Sequence, residues 1–275
     1  MQNSENGHRL FQVHFRKGHY TRNISRLLFM EARWSVWEFR KGRVWMKQTE
    51  CFRHELKYGI GYPVYLELKS RLQAVMQADP HSGSDGRYLI RSIYFDNFAD
   101  KALREKREGV SCREKFRIRY YNDDFSFLTL EKKVRYNSFC RKYGTEITEE
   151  ECRQLLDGEL NWMRGHPSGL VQELYAKMHY QLLRPKVLVS YVREPYIYAP
   201  GNVRVTLDSG IRTTMYHRTF LEDQVRDISS GDRPWDRVLE IKYDAFLPEI
   251  IKDILQVNGV RQQAFSKYEV CRRFG

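Results

Sequence analysis

From Cys51 onward the chain alternates polar and apolar residues in several separate stretches, the signature of half-buried strands. The segment Arg53-His54-Glu55-Leu56-Lys57-Tyr58 predicts a strand with Arg53, Glu55 and Lys57 on one face. Pro63 suits the first turn of a helix running to about Ala78, and Asp79–Gly86 reads as a loop from its turn chemistry. A strand over Tyr88–Phe95 and a short helix over Asp100–Lys106 follow. The clearest alternation is Arg113–Tyr120, which sends Arg113, Lys115, Arg117 and Arg119 to one face and Phe116, Ile118 and Tyr120 to the other. Leu128–Lys133 pairs Glu131 with Lys133 in the same way, and Val203–Asp208 pairs Arg204 with Asp208. Arg237–Tyr243 sets Glu240 and Lys242 against Leu239 and Ile241.

Three longer helices separate these strands. Thr148–Leu156 opens with a capping box of Thr148 and Glu151. Ser168–Leu183 is ended by Arg184-Pro185, and Pro248–Val257 is closed by Asn258-Gly259. With no internal repeat or low-complexity tract, the pattern describes one α+β domain over about residues 50–275.

Composition narrows the function classes. An apolar share of 41 % with 18 Tyr and 15 Phe excludes disorder by composition, and no apolar run nears the ~20 residues of a membrane helix. Cys51, Cys112, Cys140, Cys152 and Cys271 are odd in number and form no Cys-x-x-Cys pair, which speaks against a disulfide framework and a zinc site and for a reducing cytosol. The net charge of +12 calls for a polyanionic partner. Residues 1–45 hold nine Lys/Arg against three Glu, a balance of +6 and half of the total. This stretch, which carries Trp34, Trp37 and Trp45, has no strand or helix period. It reads as a basic arm for nucleic acid or membrane, as a poorly organised leader, or as sequence upstream of a start at Met46.

One charged strand face is ordinarily a solvated face. Here the theme recurs on strand after strand, with a carboxylate often two residues from the Arg or Lys. Turned inward in an antiparallel barrel, such faces make a basic wall that anions must compensate. A chain of phosphates fits, gripped by Arg forks and Lys point charges, with carboxylates placing a hard divalent ion. A nucleic-acid duplex cannot enter such a lumen, whereas a linear polyphosphate or a nucleoside triphosphate can. No Ser/His/Asp or Cys/His constellation and no Gly-x-x-x-x-Gly-Lys-Ser/Thr loop is present.

The ordered set Arg53–Tyr58, Ser92–Asp96, Arg113–Tyr120, Leu130–Lys133, Cys140–Lys142, Tyr191–Tyr196, Asn202–Asp208, Leu239–Lys242 and Phe265–Tyr268 resembles the polyphosphate polymerase domain of vacuolar transporter chaperone (VTC) proteins. Those proteins belong to the triphosphate tunnel superfamily. The resemblance implies an antiparallel eight-stranded β-barrel tunnel with flanking helices over residues 46–275. It also implies transfer of the ATP γ-phosphate to a growing inorganic polyphosphate chain with Mn2+ or Mg2+. Tunnel hydrolysis of triphosphates and non-catalytic polyphosphate binding remain alternatives. Carried over by motif, Lys57, Arg117, Arg119, Lys133, Arg193, Arg204 and Lys267 form the catalytic phosphate cradle. Lys142, Arg113, Lys115 and Lys242 bind substrate; Glu240 ligates metal, with Glu55 and Glu131 beside it and Asp208 as a helper. Nucleic acid is not an expected partner. The implied setting is cytoplasmic, with recruitment by a membrane partner protein as an option.

Overall fold

A computed structural model describes residues 53–136, 139–230, 236–257 and 260–274, all within a compact unit spanning Glu50–Gly275. The expectations for residues 1–45, Met46, Cys51 and the Asn258-Gly259 stop lie outside the described residues.

Eight long strands build one antiparallel sheet: β1 (His54–Ile60), β3 (Tyr88–Asp96), β4 (Cys112–Tyr121), β5 (Asp124–Tyr136), β6 (Phe139–Ile147), β7 (Arg184–Tyr198), β8 (Val203–Thr214) and β10 (Arg237–Tyr243). Their spatial order is β1-β10-β8-β7-β3-β4-β5-β6, and the two-residue strands β2 (Gln77–Ala78) and β9 (Ile228–Ser229) pair with β7 and β8. The eight long strands agree with what the resemblance implies, and the α+β class with the sequence pattern. Among the described residues no ladder joins β1 to β6, so the sheet curls without closing. The gap is spanned instead by an ion pair from β5, the strand next to the β6 end, to β1: Lys133 Nζ to Glu55 Oε2 at 3.0 Å. The chain after Val260 also runs along the outer edge of β1, where Gln263 N donates to Lys57 O at 2.9 Å.

Helices cover the outer surface. Helices α3 (Glu149–Asp157) and α4 (Gly169–Tyr180) pack on one apolar area with Phe116, Ile118, Tyr120, Leu128 and Leu130. Helices α1 (Tyr62–Val75) and α5 (Glu249–Leu255) pack on another with Val205, Leu207, Leu239 and Ile241. The capping box of Thr148 and Glu151 forms as read. A third apolar cluster lies on the inner face at one end, where α2 (Lys101–Arg107) and α6 (Lys267–Cys271) plug the curl against Tyr94, Val187, Val189 and Val238. Away from that plug the sheet is apolar outside and polar inside, the reverse of an ordinary half-solvated sheet.

Turn chemistry sets the register that aims the charges. The β4–β5 hairpin turns on Asn122 and Asp123, both at positive φ (52° and 55°), which these residues tolerate and which suits the strand twist. That turn places Arg117 opposite Glu131 and Lys115 opposite Lys133. A slip of one residue would move the whole basic row of β4 outward.

Candidate anion-binding tunnel

The inner face gathers side chains from every wall of the curl. At one centre Arg193 of β7 forms a fork with Asp208 of β8, Nε to Oδ1 at 2.6 Å and Nη2 to Oδ2 at 2.8 Å. Lys267, the first residue of α6, reaches the same carboxylate at 2.5 Å. Arg193 Nη2 also lies 3.2 Å from Glu240 Oε2. Glu240 is further approached by Lys242 at 3.3 Å and Lys57 at 3.6 Å, while Lys57 contacts Glu55 at 2.8 Å. Across the lumen Arg117 grips Glu131, Nε to Oε2 at 2.6 Å, and Lys142 pairs with the other oxygen of that carboxylate. Arg119 donates to Ser92 Oγ at 3.1 Å and Tyr191 OH at 3.2 Å and feels the Glu131 charge. Arg204 sits apart, held by Asp79 Oδ2 at 2.7 Å and Tyr88 OH at 2.8 Å.

The charge states follow from this crowding. Burial alone would raise the carboxyl groups of Glu240 and Glu131, but neighbouring cations override it. Lys242, Lys57 and Arg193 hold Glu240 well below the usual range, and Arg117, Arg119 and Lys142 do the same for Glu131. Asp208 is lowered against its own burial by Arg193 and Lys267. Tyr94 is the same case for a phenol: burial would raise it, yet Arg117, Arg119 and Lys115 bring it down to about 8. Arg117 Nη1 donates to its hydroxyl at 3.0 Å.

The candidate residues thus fall into connected groups. Lys57, Lys242, Glu55, Glu240, Arg193, Asp208 and Lys267 form one chain of contacts. Lys133 joins it through Glu55. Arg117, Glu131 and Lys142 form a second group with Arg119 beside it. Arg113 and Lys115 lie further along β4, Arg113 donating to Val110 O at 3.0 Å. The same-face pairs read along β5 and β8 find different partners: Glu131 takes Arg117 and Lys142, and Asp208 takes Arg193 and Lys267. Two residues escape sequence reasoning. Tyr94, in the predicted strand Tyr88–Phe95, presents its hydroxyl to Arg117, and Asp79 sits in a loop yet holds Arg204. Neither residue stands in a charged alternating strand, so the pattern carried no signal for them.

The donor set bears on the implied divalent ion. The Glu55 and Glu240 carboxyl groups lie within hydrogen-bonding reach of one another, and Asp208 feels the Glu240 charge. Among the described residues no three His, Cys, Asp or Glu converge as a ready-made cage. Mg2+ ordinarily uses one or two carboxylates and takes its remaining ligands from phosphates and water. The Glu55–Glu240 pair fits that requirement. Glu131 lies on the Arg117 side of the lumen, paired with Arg117 and Lys142.

A curled antiparallel sheet with a basic, carboxylate-studded lumen defines a triphosphate-tunnel type of protein. The match to the VTC domain runs over residues 52–274, and the chain belongs to this family, which is concerned with polyphosphate and triphosphate ligands. No curated protein sequence matches the chain. Among solved structures, the PH1819 protein of Pyrococcus horikoshii OT3 is 15 % identical with a TM-score of 0.44, covering 82 % of this chain and 100 % of that one. A Bacillus halodurans protein provisionally named an adenylate cyclase is 14 % identical with a TM-score of 0.43, covering 74 % and 84 %. Among the described residues no helix is long and apolar enough to cross a membrane.

Proposed function

We propose that the chain is a polyphosphate polymerase that transfers the γ-phosphate of ATP to the end of an inorganic polyphosphate chain. The observation that carries this reading is the inner ring of Lys57, Arg117, Arg193, Lys242 and Lys267, held by Glu55, Glu131, Asp208 and Glu240, with Arg119 beside it on Ser92 and Tyr191. These internal carboxylates stand where phosphate oxygens would compensate the same cations. An oxygen of the chain's terminal phosphate forms the new P–O bond, the β–γ bridging bond breaks, and ADP leaves with the electron pair. Such transfer depends on in-line placement and on neutralising the equatorial oxygens, with little covalent work for the protein. Arg117, Arg119 and Arg193 supply rigid forks for that purpose, and Lys57 and Lys267 supply point charges. Mn2+ or Mg2+ held by Glu240 and Glu55 would add charge neutralisation on the bridging oxygens. The acceptor is already anionic, so no general base is required.

Incubation of the full chain with ATP and Mn2+ or Mg2+ should give a ladder of lengthening phosphate chains on a gel. Orthophosphate without chain growth overturns the polymerase reading in favour of a tunnel hydrolase. Glu240→Gln should abolish metal-dependent turnover while keeping triphosphate binding in chelator; unchanged turnover removes Glu240 from the metal site.

A further inference from the structure

At the plugged end of the curl, the turn from β3 into α2 and the turn from α4 into β7 enclose an open cleft of about 430 Å3. Asp96, which closes β3, and Arg184, which opens β7, are ladder partners, so the two turns lie side by side. Phe98, Leu182 and Pro185 line the cleft together with Arg184 and Lys186. Phe98 is 81 % exposed, Leu182 49 % and the nearby Tyr180 89 %, a group of large apolar side chains that marks an interaction surface. The backbone gives a second sign. Leu182 follows the C-cap of α4 and stands at φ 56°, a left-handed position usually given to Gly or Asn. Leucine there strains the backbone and leaves its side chain half in water, which points to a bound state in which that side chain is covered.

The charges around the cleft say what covers it. Its anions are committed: Asp96 is fully buried and accepts from Asn97 N, Ala102 N and Tyr268 OH, and Asp100 accepts from Arg272 at 2.7 Å. Its cations are held more loosely. Arg184 donates to the carbonyls of Met178 and Leu183 at 2.8 and 2.7 Å, and Lys186 lies 3.6 Å from Asp100. Lys101 meets Gln181 Oε1 at 3.4 Å and Glu105 at 3.8 Å. Helix α2 carries Lys101, Arg104, Lys106 and Arg107 against Glu105, so the surroundings are net positive. A second copy of this chain would bring like charges together, and a neutral apolar segment would leave these cations without a counter-charge.

We infer that the cleft is a docking site for an acidic segment of a partner protein. One large apolar side chain enters beside Phe98 and Leu182, and flanking Asp or Glu side chains meet Arg184, Lys186 and Lys101. The site is separate from the lumen ring and independent of the reaction carried out there.

The probe is an array of short peptides in which two acidic residues flank each side of a central Leu, Ile, Met, Phe or Trp. The full protein should bind the best of them at least tenfold more tightly than the same peptide with a central Ser, and binding should weaken as salt rises. Phe98→Ser and Leu182→Asn should each weaken binding about tenfold, the scale of one apolar side chain returned to water. Lys186→Gln should cost about threefold, the scale of one exposed charge pair. Leu182→Asn should melt at or above the native temperature, because asparagine tolerates the left-handed backbone, and melting verifies that the other variants fold. Saturating inorganic triphosphate should leave the peptide in place. The docking site is overturned if no peptide binds, if Phe98→Ser and Leu182→Asn bind as the native protein does, or if triphosphate displaces the peptide, which puts it in the lumen. A lower melting temperature for Leu182→Asn makes the leucine a structural cap and overturns it as well. Binding to phosphatidylserine vesicles with none to the array makes the cover a bilayer, and self-association abolished by Leu182→Asn makes it a second copy; either result removes the acidic segment.

Discussion

Asp208 offers the most demanding test of the lumen's electrostatics. The residue is fully buried and its carboxylate accepts three bonds, two from the Arg193 fork and one from Lys267. Asp208→Asn keeps the shape and removes the charge. Breaking a buried ion pair from one side costs about 3–5 kcal/mol, because the other charge is stranded. Arg193 retains Glu240 at 3.2 Å, which argues for a smaller loss, roughly 2–3 kcal/mol. In a domain of this size that lowers Tm by about 4–12 °C. The same change strips one negative charge from the lumen, so an added anion should be held more tightly than in the native protein. A ligand at a hundred times its Kd stabilises by about 2.7 kcal/mol, and each further tenfold in affinity adds about 1.4 kcal/mol. Thermal melts with and without triphosphate should therefore show a larger ligand-induced rise for the variant, by about 3–6 °C per tenfold gain in affinity. Turnover should fall, since Arg193 and Lys267 lose the group that orients them. A variant as stable as the native protein, or one that triphosphate stabilises less, refutes the idea that Asp208 stands in for a phosphate. The Asp208 carboxyl is depressed in the folded state, so its contribution is present above the unfolded value of 3.8 and is lost as pH falls through the folded one. The native protein should accordingly lose more stability than Asp208→Asn on acidification.

Two further outcomes are expected. Lys115, lowered to about 8 from 10.5, takes up a proton when an anion binds, so polyphosphate affinity should fall from pH 7 to 9. In the free protein the sign is opposite, with stability from this group rising as pH goes from about 8 to 10.5. Calorimetric titrations should show Lys115→Met flattening the affinity slope, and identical slopes contradict the assignment. Arg117→Ala removes a lumen fork and should cut turnover about a hundredfold, the scale of one lost transition-state donor. Glu114→Ala lies on the outer face against Lys177 and should leave turnover within about twofold at a cost near 1 kcal/mol or less. Equal loss of turnover in two folded variants contradicts the inward register of β4.

Much of this architecture is legible from alternation alone. The row Arg113, Lys115, Arg117, Arg119 is inward as a set because the pleat leaves no other choice once Phe116, Ile118 and Tyr120 join the helix-covered core. The long strand β7 is harder to read, because its face changes character along its length. Val187 and Val189 enter the apolar plug, while Arg193, on the same face, enters the charged centre. Its neighbour Glu194 points outward yet is buried under α1, bonded by Tyr65 and Lys69, so polarity along β7 does not report sidedness. Strand β6 has charges on both faces and no apolar period. Helix α6 has five residues, too few for a helical period, and its placement comes from tertiary bonds. Tyr268 donates to Asp96, a buried carboxylate that also caps Ala102 N and Leu103 N of α2. The motif resemblance located Lys267; the bond beside it explains how a terminal helix delivers that ammonium to Asp208.

The unjoined edges of the sheet have a topological consequence. A barrel sealed by a complete ladder is a ring, and a polymer can occupy a ring solely by being threaded from an end. Here, among the described residues, an ion pair between Lys133, half exposed, and Glu55 spans the gap, and the segment after Val260 bonds along the outer edge of β1. An exposed pair of this kind is worth about 1 kcal/mol or less and weakens further as salt rises. Parting it breaks no backbone hydrogen bond between β1 and β6. The wall is therefore a clasp in geometric terms: on the proposed function, a phosphate chain laid in from the side must part this ion pair and lift the segment after Val260 from the edge of β1.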